Sequence, residues 1–201
     1  MGRPRKFDEA QVLRAARDEF WQKGYAATSL DDLMKATGLG KGSLYGAFGD
    51  KHQLFVKVLN DYAHETSSGV CEAVGRDERA IDALRGFFVV DPAESEGAVK
   101  ASRGCFLANS STELAARDPE VMGCARATYQ AVEDCLTNGV ARAVAEGDLP
   151  EDTNPRELGR LLLTILQGLQ FLLKTEMSTE ALREIGRSTV DRLLPQKSLV
   201  E

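Results

Sequence analysis

The sequence predicts an all-α protein with about nine helices. Apolar residues recur at spacings of three and four along most of the chain, as they do on one face of an α-helix. Glycine, proline and helix-capping residues separate these segments. We find no segment with the alternation of apolar and polar residues that indicates a strand. We therefore expect helices joined by short loops, with no sheet.

The composition is that of an ordinary globular protein, but its charge is unevenly distributed. Of the 201 residues, 28% are charged and 43% are apolar, and the net charge is −6. Residues 1–60 contain ten Lys and Arg against seven Asp and Glu, a net charge of +3, which leaves −9 for the rest. A basic N-terminal part on an acidic body suits a protein that turns one end towards nucleic acid.

A short basic segment precedes the first helix. The residues GRPRK at positions 2–6 combine a proline with Arg3, Arg5 and Lys6. Arms of this kind reach the minor groove of DNA in some helix-turn-helix proteins. A solvated tail is the alternative, and the sequence does not choose between the two.

Residues 28–48, TSLDDLMKATGLGKGSLYGAF, predict a helix-turn-helix. Ser29 or Thr28 caps the first helix, and Gly38 supplies the left-handed residue that ends it. In the second helix, Leu44 and Phe48 are four apart and face inward. The outward residues are small, polar or basic, which allows close approach to a bulky surface: Lys41, Gly42, Ser43, Tyr45 and Gly46.

Capping residues and apolar spacing place the other helices. The first begins at Asp8 and ends at Gly24, and a long helix runs from Asp50 towards Val74. The remaining helices are predicted over residues 78–90, 102–116, 118–147, 154–173 and 178–194, with a loop over residues 91–101. Residues 161–173 are apolar almost all round, so that helix must be buried on most sides.

The sequence contains no recognisable catalytic or metal-binding set. Cys71, Cys105, Cys124 and Cys135 form no CxxC pair, and neither histidine stands at ligand spacing from a cysteine. No nucleophile, base and acid come together and no phosphate-binding loop is present, so we expect neither an enzyme nor a cofactor. Without an apolar N-terminal segment or a run long enough to cross a bilayer, the chain is expected to be cytoplasmic, away from membranes, with reduced thiols.

Residues 7–62 resemble the DNA-binding region of the tetracycline-repressor (TetR/AcrR) family of bacterial regulators. The resemblance depends on Gly24-Tyr25, Gly38-Leu39, the Lys41–Phe48 segment, Lys51 and Leu54-Phe55, which together are specific. It implies a three-helix helix-turn-helix DNA-binding domain over residues 1–50 and a helical effector-binding and dimerisation domain over residues 51–201. The second half of such regulators is too variable for the resemblance to name a ligand.

The implied function is that of a dimeric repressor, released from a palindromic operator in double-stranded DNA by a small-molecule effector. The alternative is a helical adaptor that keeps the fold without binding DNA specifically. Lys41 and Ser43 are the candidates for contacts to base edges, beside Gly42. Thr28, Tyr45 and Lys51 match positions of phosphate contacts. The sequence departs from the family at Gly46 and Ala47, where relatives often have larger side chains.

The last two helices are the expected dimer interface, because their apolar surface exceeds what one neighbouring helix covers. A buried central helix within one subunit is the alternative for residues 161–173. The interface candidates are Leu161, Leu162, Ile165, Gly168, Leu169, Leu172, Leu182, Ile185 and Thr189. Polar residues on apolar helices are candidates to orient an effector: Asn109, Tyr129, Gln130, Gln167 and Gln170.

Cys105 is a further effector candidate. The sequence Ser102-Arg103-Gly104-Cys105 predicts a thiol in the first turn of a helix and next to an arginine, and both favour the thiolate. Some regulators that resemble this one sense electrophiles or oxidants with a cysteine. The alternative is a small core residue beside Phe106 and Leu107, since cysteines are often buried.

Overall fold

The computed structural model describes residues 7–76, 78–89, 103–175 and 177–195, and in those ranges the chain is all-α. The described residues form nine α-helices. They are α1 (Glu9–Lys23), α2 (Leu30–Thr37), α3 (Lys41–Phe48), α4 (Lys51–Val74), α5 (Ala80–Val89), α6 (Phe106–Leu114), α7 (Pro119–Ala145), α8 (Pro155–Leu172) and α9 (Thr179–Leu193). A short 3-10 helix, Leu173–Thr175, extends α8. The predicted fold class is confirmed.

Local capping explains where several helices begin. The Asp8 carboxylate accepts hydrogen bonds from the backbone N–H groups of Ala10 and Gln11 at the start of α1. Asn154 and Ser178 accept equivalent bonds at the starts of α8 and α9, where the sequence predicted them. Each cap satisfies N–H groups that have no partner inside the helix, so these boundaries depend on a few neighbouring residues.

Two predicted boundaries differ from the structure. The helix predicted over residues 78–90 spans Ala80–Val89, and the Glu146 carboxylate accepts a hydrogen bond from the Ala80 N–H group. The helix predicted from residue 102 or 103 to about 116 spans Phe106–Leu114. Gly104 has a φ of 67°, which is not helical, so the helix begins after Cys105. Ser102, the first residue of the predicted helix, lies outside the described residues.

The chain divides into two compact units. The first contains residues 1–64 and 106–125, and the second contains residues 65–105 and 126–201. Helices α4 and α7 therefore contribute to both. The first unit takes in α6, which the expected boundary at residue 50 leaves outside the DNA-binding domain, and that functional boundary stays a prediction.

Aromatic rings form much of the core of the first unit. Phe106, from α6, is 1% exposed and lies 5.6 to 6.0 Å, between ring centroids, from Trp21, Phe55 and Tyr62. Phe20 packs edge-on against Phe55 at 5.1 Å. Helices α1 and α4 are thus held by an aromatic residue that is more than forty positions further along the chain.

The core of the second unit is mainly aliphatic. A cluster of buried residues combines side chains from α4, α5, α7, α8 and α9: Val70, Val74, Ile81, Leu84, Phe88, Val132, Leu136, Val140, Leu162 and Val190. Two glycines permit the helices to approach. A Cβ at Gly159 would lie 2.6 Å from the Thr137 hydroxyl, and one at Gly186 would lie 2.5 Å from the carbonyl oxygen of Phe88.

Cys71 and Cys135 form a disulfide within the second unit, so the expectation that all four cysteines are reduced is wrong for this pair. Cys71 lies on α4 and Cys135 on α7, with Cα atoms 5.2 Å apart, inside the range that a disulfide spans. The sequence contains no local CxxC pair, and this pair is created by the packing of two helices. No helix of the described residues is long and apolar enough to span a membrane.

Candidate nucleic-acid interface

The N-terminal half of α3 is the most exposed part of the helix-turn-helix. Leu44 is fully buried and Phe48 is 7% exposed, which turns Lys41, Gly42 and Ser43 to the surface and leaves Tyr45 half-buried. A Cβ built at Gly42 or Gly46 would meet nothing within 4 Å. Neither glycine is needed for packing within the chain, so both leave room outside α3 for a second molecule.

A capping box fixes the start of helix α2. The Ser29 hydroxyl accepts a hydrogen bond from the Asp32 N–H group at 3.1 Å, and the Asp32 carboxylate accepts one from the Ser29 N–H group at 2.9 Å. Hydrogen bonds from Lys23 and Ser29 hold the pKa of Asp32 below its ordinary value. Ser29 is thus the cap, and Gly38 ends the helix with a φ of 70°, as the sequence predicted.

Thr28 does not fit the expected phosphate contact. The residue is 1% exposed, and its hydroxyl donates a 2.6 Å hydrogen bond to the carbonyl oxygen of Gly24. Its position at the start of a helix suggested an accessible hydroxyl, but the side chain turns back to α1. Thr28 therefore supports the turn and is removed from the candidate surface.

Lys51 is held beside Tyr25. Its Nζ atom lies 4.4 Å from the centre of the Tyr25 ring, a cation–π distance. Burial lowers the pKa of Lys51, and the negative charge of Glu113 opposes that effect. Burial also raises the pKa of the Tyr25 hydroxyl, with a further contribution from the charges of Asp50, Asp118 and Glu113. The basic arm residues Arg3, Arg5 and Lys6 lie outside the described residues.

Three of the effector candidates are associated in the second unit. Cys105 is 5% exposed, and the Tyr129 hydroxyl is hydrogen-bonded to it. Burial raises the pKa of Tyr129, and the charge and hydrogen bond of Cys105 raise it further. A Cβ at Gly104 would lie 3.0 Å from the carbonyl oxygen of Gln170, so the turn before Cys105 packs against the end of α8.

The other effector candidates are placed differently. Gln130 is exposed and donates a 3.0 Å hydrogen bond to Asp134, one turn along α7, so the prediction that it lines a pocket is wrong. Gln167 donates to Gln170 at 3.3 Å. Asn109 is half-buried on α6, in the first unit.

A cavity of about 130 Å³ lies in the second unit. Gln170 lines it together with Phe87, Phe88, Leu166, Leu169, Leu173, Leu182 and Arg183.

An open apolar groove runs along α8 and α9. Its volume is about 680 Å³, and four of the interface candidates line it: Leu161, Ile165, Ile185 and Thr189. Leu161 is 44% exposed, as an interface residue of a free subunit must be. Gly168 is exposed, and Leu169 and Leu172 are half-buried. Leu162 and Leu182 are 0% and 6% exposed, so their assignment to the interface is wrong.

Two family models cover most of the chain. Residues 12–58 match the bacterial regulatory proteins of the tetR family, and residues 80–189 match the tetracyclin repressor-like C-terminal domain. The chain belongs to the TetR family of bacterial transcriptional regulators. The resemblance stated from residues 7–62 is thereby confirmed, and it extends to the second half.

Relatives and solved structures agree with membership of the TetR family. The uncharacterised regulator YezE of Bacillus subtilis is 30% identical over 92% of this chain and 95% of its own length. The repressor ComR of Escherichia coli is 29% identical over 97% and 92%. A cysteine mutant of the regulator CifR, solved on a 26-base-pair operator DNA, is 26% identical and superimposes with a TM-score of 0.78 over 96% of this chain and 98% of that one.

The fold of the TetR family is also seen in more distant structures. A regulator from Cytophaga hutchinsonii superimposes with a TM-score of 0.82 over 94% of each chain at 18% identity, which shows the fold alone. Membership of the TetR family, which the two family models show, makes this chain a DNA-binding transcriptional regulator. Among the described residues, no group of three or more His, Cys, Asp and Glu side chains is placed to hold a metal ion.

Two carboxylates in the first unit have partners that the sequence did not predict. Glu113 accepts hydrogen bonds from the backbone N–H groups of Tyr25 and Ala26, and Asp118 lies 2.7 Å from Nε2 of His52. Asp118, the first residue of a predicted helix, also caps α7 by accepting hydrogen bonds from the backbone N–H groups of Glu120 and Val121. The one local sign was an acidic residue in the last turn of α6, where the helix dipole disfavours it.

Proposed function

We propose that this chain is a homodimeric repressor that binds a palindromic operator and leaves it when a small molecule binds the second unit. The observation that carries the proposal is the exposed start of α3, which contains Lys41, Gly42 and Ser43. A Cβ at Gly42 or Gly46 would meet no other atom, so this surface leaves room for DNA. In a helix-turn-helix this helix enters the major groove. Such a protein of bacteria works in the cytoplasm, where its DNA lies.

Each residue has a definite role in the proposed complex. Lys41 donates to guanine acceptors and Ser43 contacts base edges, while Tyr45 and Lys51 hold phosphates and fix the register. Since a lysine and a serine discriminate bases weakly, part of the specificity comes from DNA shape. The arm residues Arg3, Arg5 and Lys6 add contacts in the adjacent minor groove.

The dimer is proposed from the groove between α8 and α9. Leu161, Ile165 and Ile185 present apolar surface there that a second copy would cover. A two-fold dimer doubles the contacts of one α3 and matches an inverted repeat. The relative ComR, whose name records a repressor, supports repression over activation for this chain.

We further propose that α4 transmits the effector signal. It has 24 residues and contributes to both compact units, so a tilt of its second half changes the spacing of the two helix-turn-helix motifs in the dimer. Substantial release requires the effector to favour the wrongly spaced state by a few kcal/mol, roughly 5.5 for a shift from 1:99 to 99:1.

The operator is obtained by selecting bound duplexes from a random pool with the full-length chain. We expect an inverted repeat, with an affinity that falls steeply with salt because bound phosphates release counterions. Lys41→Ala and Tyr45→Ala should each weaken binding about tenfold, the scale of one lost contact worth ~1 to 3 kcal/mol. Arg187→Ala, at an exposed position on α9, removes one positive charge as Lys41→Ala does and is the matched control for that variant.

If the chain is instead a helical adaptor, the selection should have the opposite result. The adaptor would retain a folded dimer and enrich no sequence from the pool. Wild-type binding by both the Lys41 and Tyr45 variants at physiological salt would also defeat the proposed interface. The distance between labels on the two α3 helices should change when an effector binds. An unchanged distance would contradict the role proposed for α4.

We also propose that the effector reacts covalently with Cys105. In the proposed reaction the S–H bond of Cys105 adds across an activated carbon–carbon double bond, so that sulfur bonds one carbon and the proton passes to the other. Its burial means that the Gly104 turn must open first. N-ethylmaleimide should release wild-type protein from DNA and should not release Cys105→Ser.

Cys124→Ser is the matched control, since Cys124 is the other cysteine outside the disulfide. It should be released like the wild type. Release of the Cys105 variant by N-ethylmaleimide, or resistance of Cys105 to alkylation in the native dimer, would make Cys105 a core residue. The effector would then bind without covalent chemistry.

A further inference from the structure

Glu113 is poorly placed for the stability of its own helix. It is the next-to-last residue of α6, where a carboxylate faces the negative end of the helix dipole. Its oxygens instead accept hydrogen bonds from the backbone N–H groups of Tyr25, at 2.9 Å, and Ala26, at 2.7 Å. These partners lie in the turn after α1, more than 80 positions earlier in the chain.

The geometry of this turn matches the carboxylate. Gly24 ends α1 with a φ of 81°, and the next two N–H groups converge on Glu113. Successive N–H groups of this kind form a concave site for an anion, and an ionised acceptor strengthens each bond. A Cβ at Gly24 would lie 2.9 Å from Oε2 of Glu113, so a glycine permits the close approach. Glu113 thus determines how Tyr25 leaves α1.

Tyr25 connects this turn to the start of α4 through contacts of its ring. Its ring packs against Phe55 with 4.8 Å between centroids, and Lys51 Nζ lies over its face at 4.4 Å. His52, the next residue, stands edge-on to the same ring and is bound by Asp118. The ammonium group that is proposed to hold a phosphate is therefore placed by a ring, and the ring is placed by Glu113.

We infer that Glu113 is a positioning residue for operator binding. Its carboxylate holds the Tyr25–Ala26 turn so that Tyr25 presents the Lys51 ammonium group to a backbone phosphate. Glu113 touches no nucleotide itself. The inference rests on the proposed operator complex, and it assigns to α6, which belongs to the first unit, a part in DNA binding.

The test compares Glu113→Gln, Lys51→Ala and the double variant of the full-length dimer on the selected operator. The glutamine keeps the size of the side chain but loses its charge and one of its two acceptors. We expect about tenfold weaker binding, and a salt slope shallower by about 0.9, the value of one phosphate contact. Because both changes remove the same contact, the double variant should bind no more weakly than Lys51→Ala.

Two further variants separate positioning from folding. Glu120→Gln removes an exposed carboxylate from α7 and should leave the salt slope unchanged. Tyr25→Leu keeps apolar bulk but removes the ring, and it should reproduce the shallower slope even if Glu113→Gln does not fold. Exchange of the Tyr25 and Ala26 amide hydrogens should be faster in Glu113→Gln than in the wild type.

The outcomes distinguish this inference from the proposed function. Additive losses in the double variant, or a wild-type salt slope in folded Glu113→Gln or Tyr25→Leu, would overturn the role of Glu113 alone. A wild-type chain that binds no DNA would overturn the proposed operator complex and this inference together.

Discussion

Reduction of the Cys71–Cys135 disulfide should destabilise the protein measurably. The two cysteines are 64 positions apart in sequence, so the bond closes a long loop in the unfolded chain. The loop-entropy relation gives a loss of about 14 cal/mol/K for such a loop, or ~4 kcal/mol at 25 °C. For a chain of this length, each kcal/mol shifts the Tm by roughly 2 to 4 °C, so reduction should lower the Tm by about 10 °C.

The assay is thermal unfolding by circular dichroism with and without a phosphine reductant. Thiol titration in denaturant should find two thiols before reduction and four after it, since Cys105 and Cys124 lie outside the disulfide. The double variant Cys71→Ser/Cys135→Ser should unfold near the temperature of the reduced wild type and should not respond to reductant. The bond joins α4 to α7 within the second unit, so the loss of stability is expected there.

Equal Tm values for oxidised and reduced wild type, with reduction verified by mass spectrometry, would refute the reasoning. So would a titration that finds four thiols in protein purified without reductant. The first result would mean that the reduced, unfolded chain already keeps the α4 and α7 segments close together, so that the bond removes little further entropy. The second would mean that the pair does not oxidise.

Three other predictions test the core, the acid response and the dimer. Phe106→Ala removes a ring that is 1% exposed and contacts three other aromatic residues, so it should lower the free energy of unfolding by about 3 to 5 kcal/mol in urea titrations. A loss below about 1 kcal/mol would contradict this packing. Burial raises the pKa of Asp118, but hydrogen bonds from His52 and from the N–H groups of Val121 and Glu120 outweigh it and leave the pKa below 3.8. Stability from this carboxylate is therefore present above about pH 4 and lost as the pH falls further, and Asp118→Asn should show a shallower acid limb in stability measured against pH. Identical acid limbs would show that the ionised form is not favoured in the folded state. Leu161→Glu should give monomers in sedimentation with little loss of helicity, because Leu161 is 44% exposed in one subunit. Met122→Glu, at a position that is 39% exposed and outside the groove, should leave the dimer intact, and an unaffected dimer in the Leu161 variant would place the interface elsewhere.

Helix boundaries could be predicted where neighbouring residues decide them. Asp8, Ser29 and Asn154 each accept hydrogen bonds from backbone N–H groups two or three residues ahead, so their effect does not depend on the rest of the fold. The prediction was less accurate for the helix that begins at Phe106. There the boundary follows from Gly104, whose turn packs against the end of α8.

The exposed face of α3 was also determined by the sequence. Leu44 and Phe48 are the apolar pair at a spacing of four, and both are buried. Lys41, Gly42 and Ser43 are exposed, as the sequence predicted. In α8, by contrast, the sequence did not distinguish a buried face from an exposed one. Leu161 and Leu162 are equally apolar, and only the packing of α8 decided that Leu162 enters the core while Leu161 stays exposed.

Tertiary structure alone decided the contacts between distant residues. The disulfide joins positions 64 apart, and Glu113 reaches a turn 88 positions before it. Caps and apolar spacing act over a few residues and can be recognised in the sequence, whereas these pairings exist only after helices from different parts of the chain have packed together.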